Sequence, residues 1–140
     1  MIEWKKDFEI GIPSADYEHR KLVELANELH EQARDAASPE AAAAALARIA
    51  SHFTAHFSVE EEAMQAIASP DLDGHRRDHQ ELLARIDAML ERLGRGEAMT
   101  EALAEEMELW LVRHFHTWDI SLYHILDRAS SAAPPVRPAD

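Results

Sequence analysis

Four stretches of this chain carry apolar residues at helical spacing, and each puts histidine or carboxylate where the stripe calls for leucine. The first stripe reads Leu22, Val23, Ala26, Leu29 and Ala33, with His19 on the same face. The second reads Leu46, Ile49, Phe53, His56, Glu60, Ala63 and Ile67, and the third His75, His79, Leu82, Ile86, Met89 and Leu93. The fourth holds Leu103, Met107, Trp110, Leu111, His114, Phe115, Trp118, Leu122 and Ile125, with Asp119 beside it. Steps alternating between three and four residues are the periodicity of helices packed in a bundle. Imidazole or carboxylate on such a face is costly to bury alone, because desolvation disfavours charge and an unmade hydrogen bond is penalised. Seven such groups, converging from four helices, need a common partner. Metal ions answer that need.

Punctuation between the stripes is short. Residues 1–13 read as an extended leader containing Trp4, Phe8 and Ile10, closed by Gly11 and Pro13. Ser14 or Asp16 is expected to cap a first helix that runs to about Ala36. Ser38-Pro39-Glu40 combines an N-cap, proline at the first helical position and an acid near the positive dipole end. Pro70 to Gly74 is expected to break the chain, Gly94 and Gly96 to end the third helix, and Thr100 to cap the fourth. No strand signal is present. The expected fold is all-α: an antiparallel up-down-up-down four-helix bundle behind an N-terminal extended leader. The domain is expected over residues 1–130, with 131–140 a flexible Pro/Ala-rich tail.

Composition narrows the chemistry. A chain of 140 residues is one domain by size and buries a proper core without staples. Its net charge of −13 repels phosphate backbones and anionic lipid, which disfavours nucleic-acid and membrane-surface binding. No cysteine is present, so disulfides, zinc–thiolate sites, iron–sulfur clusters and thiol catalysis are excluded. The start, Met1-Ile2-Glu3-Trp4-Lys5-Lys6, lacks an apolar signal core, and no run approaches membrane-spanning length. The expected location is cytoplasmic and the expected state a monomer.

Helical geometry then assigns pairs. Residues four apart stack on one face about 6 Å apart, so His75 and His79 make one clamp and His56 with Glu60 another. Asp119 follows His114 by five residues, about 140° around a regular helix, which places it to reach across the bundle axis as a bridge. Seven donors exceed what one tetrahedral zinc ion takes. Two octahedral ions, bridged by both carboxylates and a hydroxide and capped by five imidazoles, are filled but for one position. Beside a redox-capable ion, that position suits dioxygen. Imidazole and carboxylate suit iron, although manganese, cobalt and zinc are also compatible.

The order and spacing of these pieces resemble the hemerythrin family in its single-domain bacterial form. The matching segments are Trp4 with Gly11-Ile12, then Asp16-x-x-His19-x-x-Leu22 and His56-Phe57-x-x-Glu60-Glu61-x-x-Met64. His75-x-x-x-His79 and Trp110-Leu111-x-x-His114-Phe115-x-x-x-Asp119 complete the set, over about residues 2–126. The resemblance implies that His75, His79 and His114 saturate one non-haem iron and that His19 and His56 hold a second. Glu60 and Asp119 would bridge the two, together with an oxo or hydroxo group. The second iron would keep the open position, where dioxygen binds reversibly for storage, delivery or scavenging. Phe57, Trp110, Leu111, Phe115 and Trp118, each beside a ligand in sequence, are the expected dry walls of the ligand pocket. Departures from the family pattern are modest: Tyr17-Glu18 replaces a glutamine before His19, Ser69 an aromatic, and Phe115 an aliphatic residue.

Plainer alternatives stand beside these readings. No general base, nucleophile or substrate cleft is evident, so the chain is not expected to be an enzyme. The other readings are an oxygen or redox sensor acting through an unidentified protein partner, a di-iron oxidase or peroxidase, and a metal store or zinc-filled structural bundle. Five histidines to two carboxylates favour reversible binding over oxidation. Glu60 is one of three consecutive glutamates, and only its phase sets it inside, with Glu61 and Glu62 expected to point away. His52 is expected to support His56 or sit at the rim, His30 to take a hydrogen-bonded core or bundle-end role, and His116 and His124 to lie on the surface.

Overall fold

The computed structural model describes residues 2–3 and 11–132, without the side chains of residues 127 and 129–132. Trp4, Phe8 and Ile10 of the leader, and residues 133–140 of the expected tail, lie outside the described residues. The chain forms α1 (Pro13–Arg34), α2 (Pro39–Ala66), α3 (Leu72–Gly94), α4 (Glu101–His114), a π-helical turn (Phe115–Asp119) and α5 (Ile120–Ala132). The last three run on as one rod, so four rods make the bundle. It is all-α, as the stripes require.

Where the helices begin depends on local chemistry. Ser38 Oγ accepts from the Ala41 N–H at 3.1 Å, and Thr100 Oγ1 from the Leu103 N–H at 3.1 Å, so both expected caps form. The first helix differs: it starts at Pro13, with Ile12 as an N-cap that offers no side-chain bond. Proline suits that first position because its missing N–H would find no helical acceptor anyway. Ser14 and Asp16 therefore lie within the first turn. Asp16 instead accepts from the Gly11 N–H at 3.1 Å and closes the turn that Gly11 makes at φ +88°.

The third helix also starts earlier than its glycine suggests. Gly74 lies inside α3, not in the break before it. Its small size serves packing, since a Cβ there would stand 2.7 Å from the tip of the Trp118 ring.

Two layers divide the interior along the bundle axis. Leu29, Leu46, Ile49, Phe53, Ile86, Met89, Leu93, Met99 and Met107 fill one half and are buried. Each such side chain contributes about 1.5–3 kcal/mol by leaving water. α1 packs against α2 and α4, and α2 against α3, so this half clamps all four rods. A buried pair, His30 Nδ1 and Glu108 Oε1 at 2.8 Å, ties α1 to α4 here. His30 thus takes the hydrogen-bonded core role its stripe implies. Asn27 grips the start of the chain, accepting from the Ile2 N–H and donating to its carbonyl, both at 2.8 Å. Among the described residues no helix is long and apolar enough to cross a membrane.

Candidate metal centre

The other half of the bundle is polar inside. His19, His56, Glu60, His75, His79, His114 and Asp119 are all buried, none more than 5 % exposed. Their donor atoms fall into two groups that share both carboxylates: His75, His79 and His114 with Glu60 and Asp119, and His19 and His56 with the same two acids. The three rings of the first group lie 4.4–5.1 Å apart between centroids. Those of the second are 5.2 Å apart and nearly perpendicular.

Each carboxylate divides its oxygens between the groups. Asp119 Oδ1 lies 2.8 Å from His114 Nε2 and 3.0 Å from His75 Nε2, while its Oδ2 lies 3.2 Å from His19 Nε2. Glu60 Oε1 lies 3.2 Å from His79 Nε2 and 3.8 Å from His75 Nε2, while its Oε2 lies 3.4 Å from His56 Nε2. Asp119 reaches this position because the π turn spends one more residue than an α-helix would. The fifth residue after His114 therefore comes round to where a fourth would stand. Asp119 meets the His114 ring directly, and the sideways reach expected of a regular helix is replaced by this closer approach.

The Hemerythrin HHE cation binding domain matches residues 11–126, nearly the whole described chain. The chain belongs to the hemerythrin family. Bacteriohemerythrin of Stenotrophomonas maltophilia is 28 % identical over 114 residues, covering 81 % of this chain and 74 % of that protein. Bacteriohemerythrin of Ralstonia nicotianae is 28 % identical over 120 residues, covering 85 % and 84 %. A crystal structure of wild-type hemerythrin superposes with a TM-score of 0.78 at 21 % identity, covering 86 % of this chain and 93 % of that one, a likeness of fold. A hemerythrin domain implies a non-haem di-iron centre that binds oxygen, and the donor cluster fits a metal.

That fit rests on atoms left without hydrogen bonds. His19 Nε2, His56 Nε2, His79 Nε2, His114 Nε2, both oxygens of Glu60 and Oδ2 of Asp119 are buried and make none. Buried polar atoms are almost always satisfied, so seven orphans in one hemerythrin core call for a cation between them.

Outside the cluster, acids grip the far nitrogens of two rings. His79 Nδ1 lies 3.0 Å from Glu61 Oε2, and Arg76 Nε donates to the other Glu61 oxygen at 2.7 Å. His114 Nδ1 donates to Asp78. Neither partner was evident from the stripes. Glu61, expected to point away, is half-buried against His79. The available signal was adjacency, since Glu61 follows Glu60 and Asp78 precedes His79. His52 Nε2 lies 2.7 Å from Glu18 Oε2 at the rim, and His116 and His124 are exposed.

Electrostatics follow from this crowding. Burial opposes charge on His114, but the Asp119 and Asp78 carboxylates outweigh it and raise its pKa to about 10. Burial likewise opposes charge on Asp119, and the surrounding imidazoles, His114 foremost, hold it well below its ordinary value. Glu60 is lowered as well: burial and Asp119 push upward, yet His56 and His79 prevail. Tyr123, absent from the sequence reading, lies beside the two-histidine group, its ring centroid 5.6 Å from that of His19. Burial and the nearby carboxylates raise its pKa.

The aromatic walls are unequal. Phe57 stacks on His79 at 3.7 Å and 8°, Phe115 packs 4.2 Å from His19, and Trp118 stacks on His75 at 5.4 Å. Leu111 is buried among them. Trp110 is half-exposed, carries the Arg85 guanidinium over its ring at 4.7 Å, and lines an outer cleft together with His114.

Proposed function

We propose that this chain holds two iron ions, bridged by Glu60 and Asp119, and binds dioxygen reversibly at the two-histidine end. The observation that carries this reading is the division of oxygens. Each acid turns one oxygen to the three-histidine group and the other to the two-histidine group. His75, His79 and His114 would fill one iron, and His19 and His56 would leave the other a free position. A di-iron pair supplies reversible two-electron exchange with dioxygen.

The residues around the cluster have separate tasks. Two carboxylates beside five imidazoles offset part of the cationic charge without crowding out a guest. Glu61 and Asp78 orient His79 and His114 by occupying their outer nitrogens. Phe57, Leu111, Phe115 and Trp118 keep water out, which withholds the protons a reduced ligand would need in order to leave. Tyr123 packs its ring beside those of His19 and His56. Hemerythrin-like proteins are generally oxygen binders rather than enzymes, and the apolar wall suits that role.

Metal analysis with optical spectra of protein made in iron-replete cells tests the reading. The expected result is two irons per chain and a visible charge-transfer band that appears in air and vanishes on degassing. A colourless protein, one zinc per chain, or sustained turnover of hydrogen peroxide would overturn it.

A further inference from the structure

Seven donors sealed inside a bundle raise the question of how a cation reaches them. Among the described residues, four surface clefts that approach the cluster can be compared. One, beside His114 and Trp110, is lined by Arg85 and Arg113 with Asp78 and Glu81, and a second, beside His79, by Arg76 with Glu61 and Glu62. Guanidinium groups compete with a cation for these acids, Arg85 pairing with Glu81 and Arg76 with Glu61. In a third, beside His75, the Trp118 ring is stacked on that histidine. The fourth, between α1, α2 and α5, has a volume of about 420 Å³ and no basic side chain in its lining. Glu18 stands in its wall and His56 at its inner end, with Tyr123 beside them.

We propose that this fourth cleft is the inlet for divalent metal, with Glu18 and His52 as a first, exchangeable seat and His56 as the step inward. His52, His56 and Glu60 lie at successive i, i+4 positions on α2, a ladder of donors with rungs about 6 Å apart that ends on a shared carboxylate. Glu18 Oε2 and His52 Nε2 are 2.7 Å apart. Two donors each about 2.1 Å from one cation, at right angles, stand roughly 3 Å apart, so a small shift seats an ion between them. The Glu18 side chain is 38 % exposed and meets a hydrated ion first, while His52 Nε2 lies covered just behind it. His56 is only 5 % exposed, yet it lines the cleft and its Nε2 makes no hydrogen bond. A two-donor seat completed by water binds weakly, which suits a station on a path. The net charge of −13 draws cations toward the surface in general, and the ladder gives them one route.

This inference rests on the metal-centre reading, and its test separates the two. Metal-free protein is mixed with Co²⁺ in a stopped-flow instrument, following the visible absorption of the bound ion, for the wild type and for Glu18→Gln, His52→Gln and Asp71→Asn. Asp71 lines the third cleft. Glu18→Gln and His52→Gln are expected to slow loading about tenfold, with the final cobalt count and spectrum unchanged. Asp71→Asn is expected to load at the wild-type rate. Unslowed loading in both α1–α2 variants, or slowing by Asp71→Asn alone, overturns the inlet. A lower final cobalt count without slower approach also overturns it, because the pair would then maintain the site and not feed it. A wild-type protein that takes up no cobalt removes the centre itself, and the inlet with it.

Discussion

His79 and His114 are gripped at both ends, by the shared acids on the inner nitrogen and by Glu61 or Asp78 on the outer one. Such outer partners fix the ring and raise its basicity, and losing one typically weakens metal binding about 10–100-fold. Glu61→Gln is therefore expected to lower metal affinity by that factor, read by competition with a chelator of known strength. An unchanged affinity would remove Glu61 from the site. Leu111 makes the complementary case, because it is buried in the wall and offers no polar atom. Leu111→Asn is expected to admit water and speed decay of the oxygenated protein several-fold, followed by loss of its visible band. Decay at the wild-type rate would count against a dry wall. At this scale six of the inner seven residues were legible because each interrupts an apolar stripe, whereas Asp119, beside its stripe, was legible only from the order of the motif. Glu61, Asp78 and Tyr123 were not, since they approach from beside the stripe and their partners belong to other elements.

Among the elements, the π turn does most to shape the site. A regular helix advances about 100° per residue, and that rule puts Asp119 to one side of His114. The extra residue between Phe115 and Asp119 turns the acid back onto the His114 face. Deleting Thr117, which is exposed, is expected to restore a continuous α-helix in which the acid is the fourth residue after His114 and so keeps its place on that face. Far-ultraviolet circular dichroism should show undiminished helix and metal content should stay at two ions. Loss of metal in the deletion would show that the bulge does more than set the phase of the acid. Helix positions were readable from periodicity, and the caps at Ser38 and Thr100 from side-chain chemistry. The bulge was hidden because a periodicity reading assumes α geometry from end to end. Gly74 misled for a related reason: it answers to Trp118 across the bundle and not to its own backbone.

For the molecule as a whole, the metal-free cluster is a store of protons. His114 has a folded pKa near 10 against an ordinary 6.5, so its contribution to stability is full below 6.5 and fades as pH rises through 10. Asp119 is depressed, so its contribution is present above the ordinary 3.8 and is lost as pH falls through its lower folded value. Metal needs the inner nitrogen of His114 bare, so the two compete. Loading the metal-free protein at pH 7 is expected to release at least one proton per chain, and apparent affinity to rise toward pH 10. Calorimetry in buffers of different ionisation enthalpy measures the release, and a heat independent of buffer would refute it. The bundle itself was foreseeable from four amphipathic stripes, whereas this charge balance depends on distances that no spacing rule supplies. The spare residue in the last rod has a practical corollary for protein design. Seven side chains grafted onto straight scaffold helices at their present spacing would reproduce the composition of this nest but not its closure, so a successful transplant must carry the π turn too or draw the acid one residue nearer to its histidine.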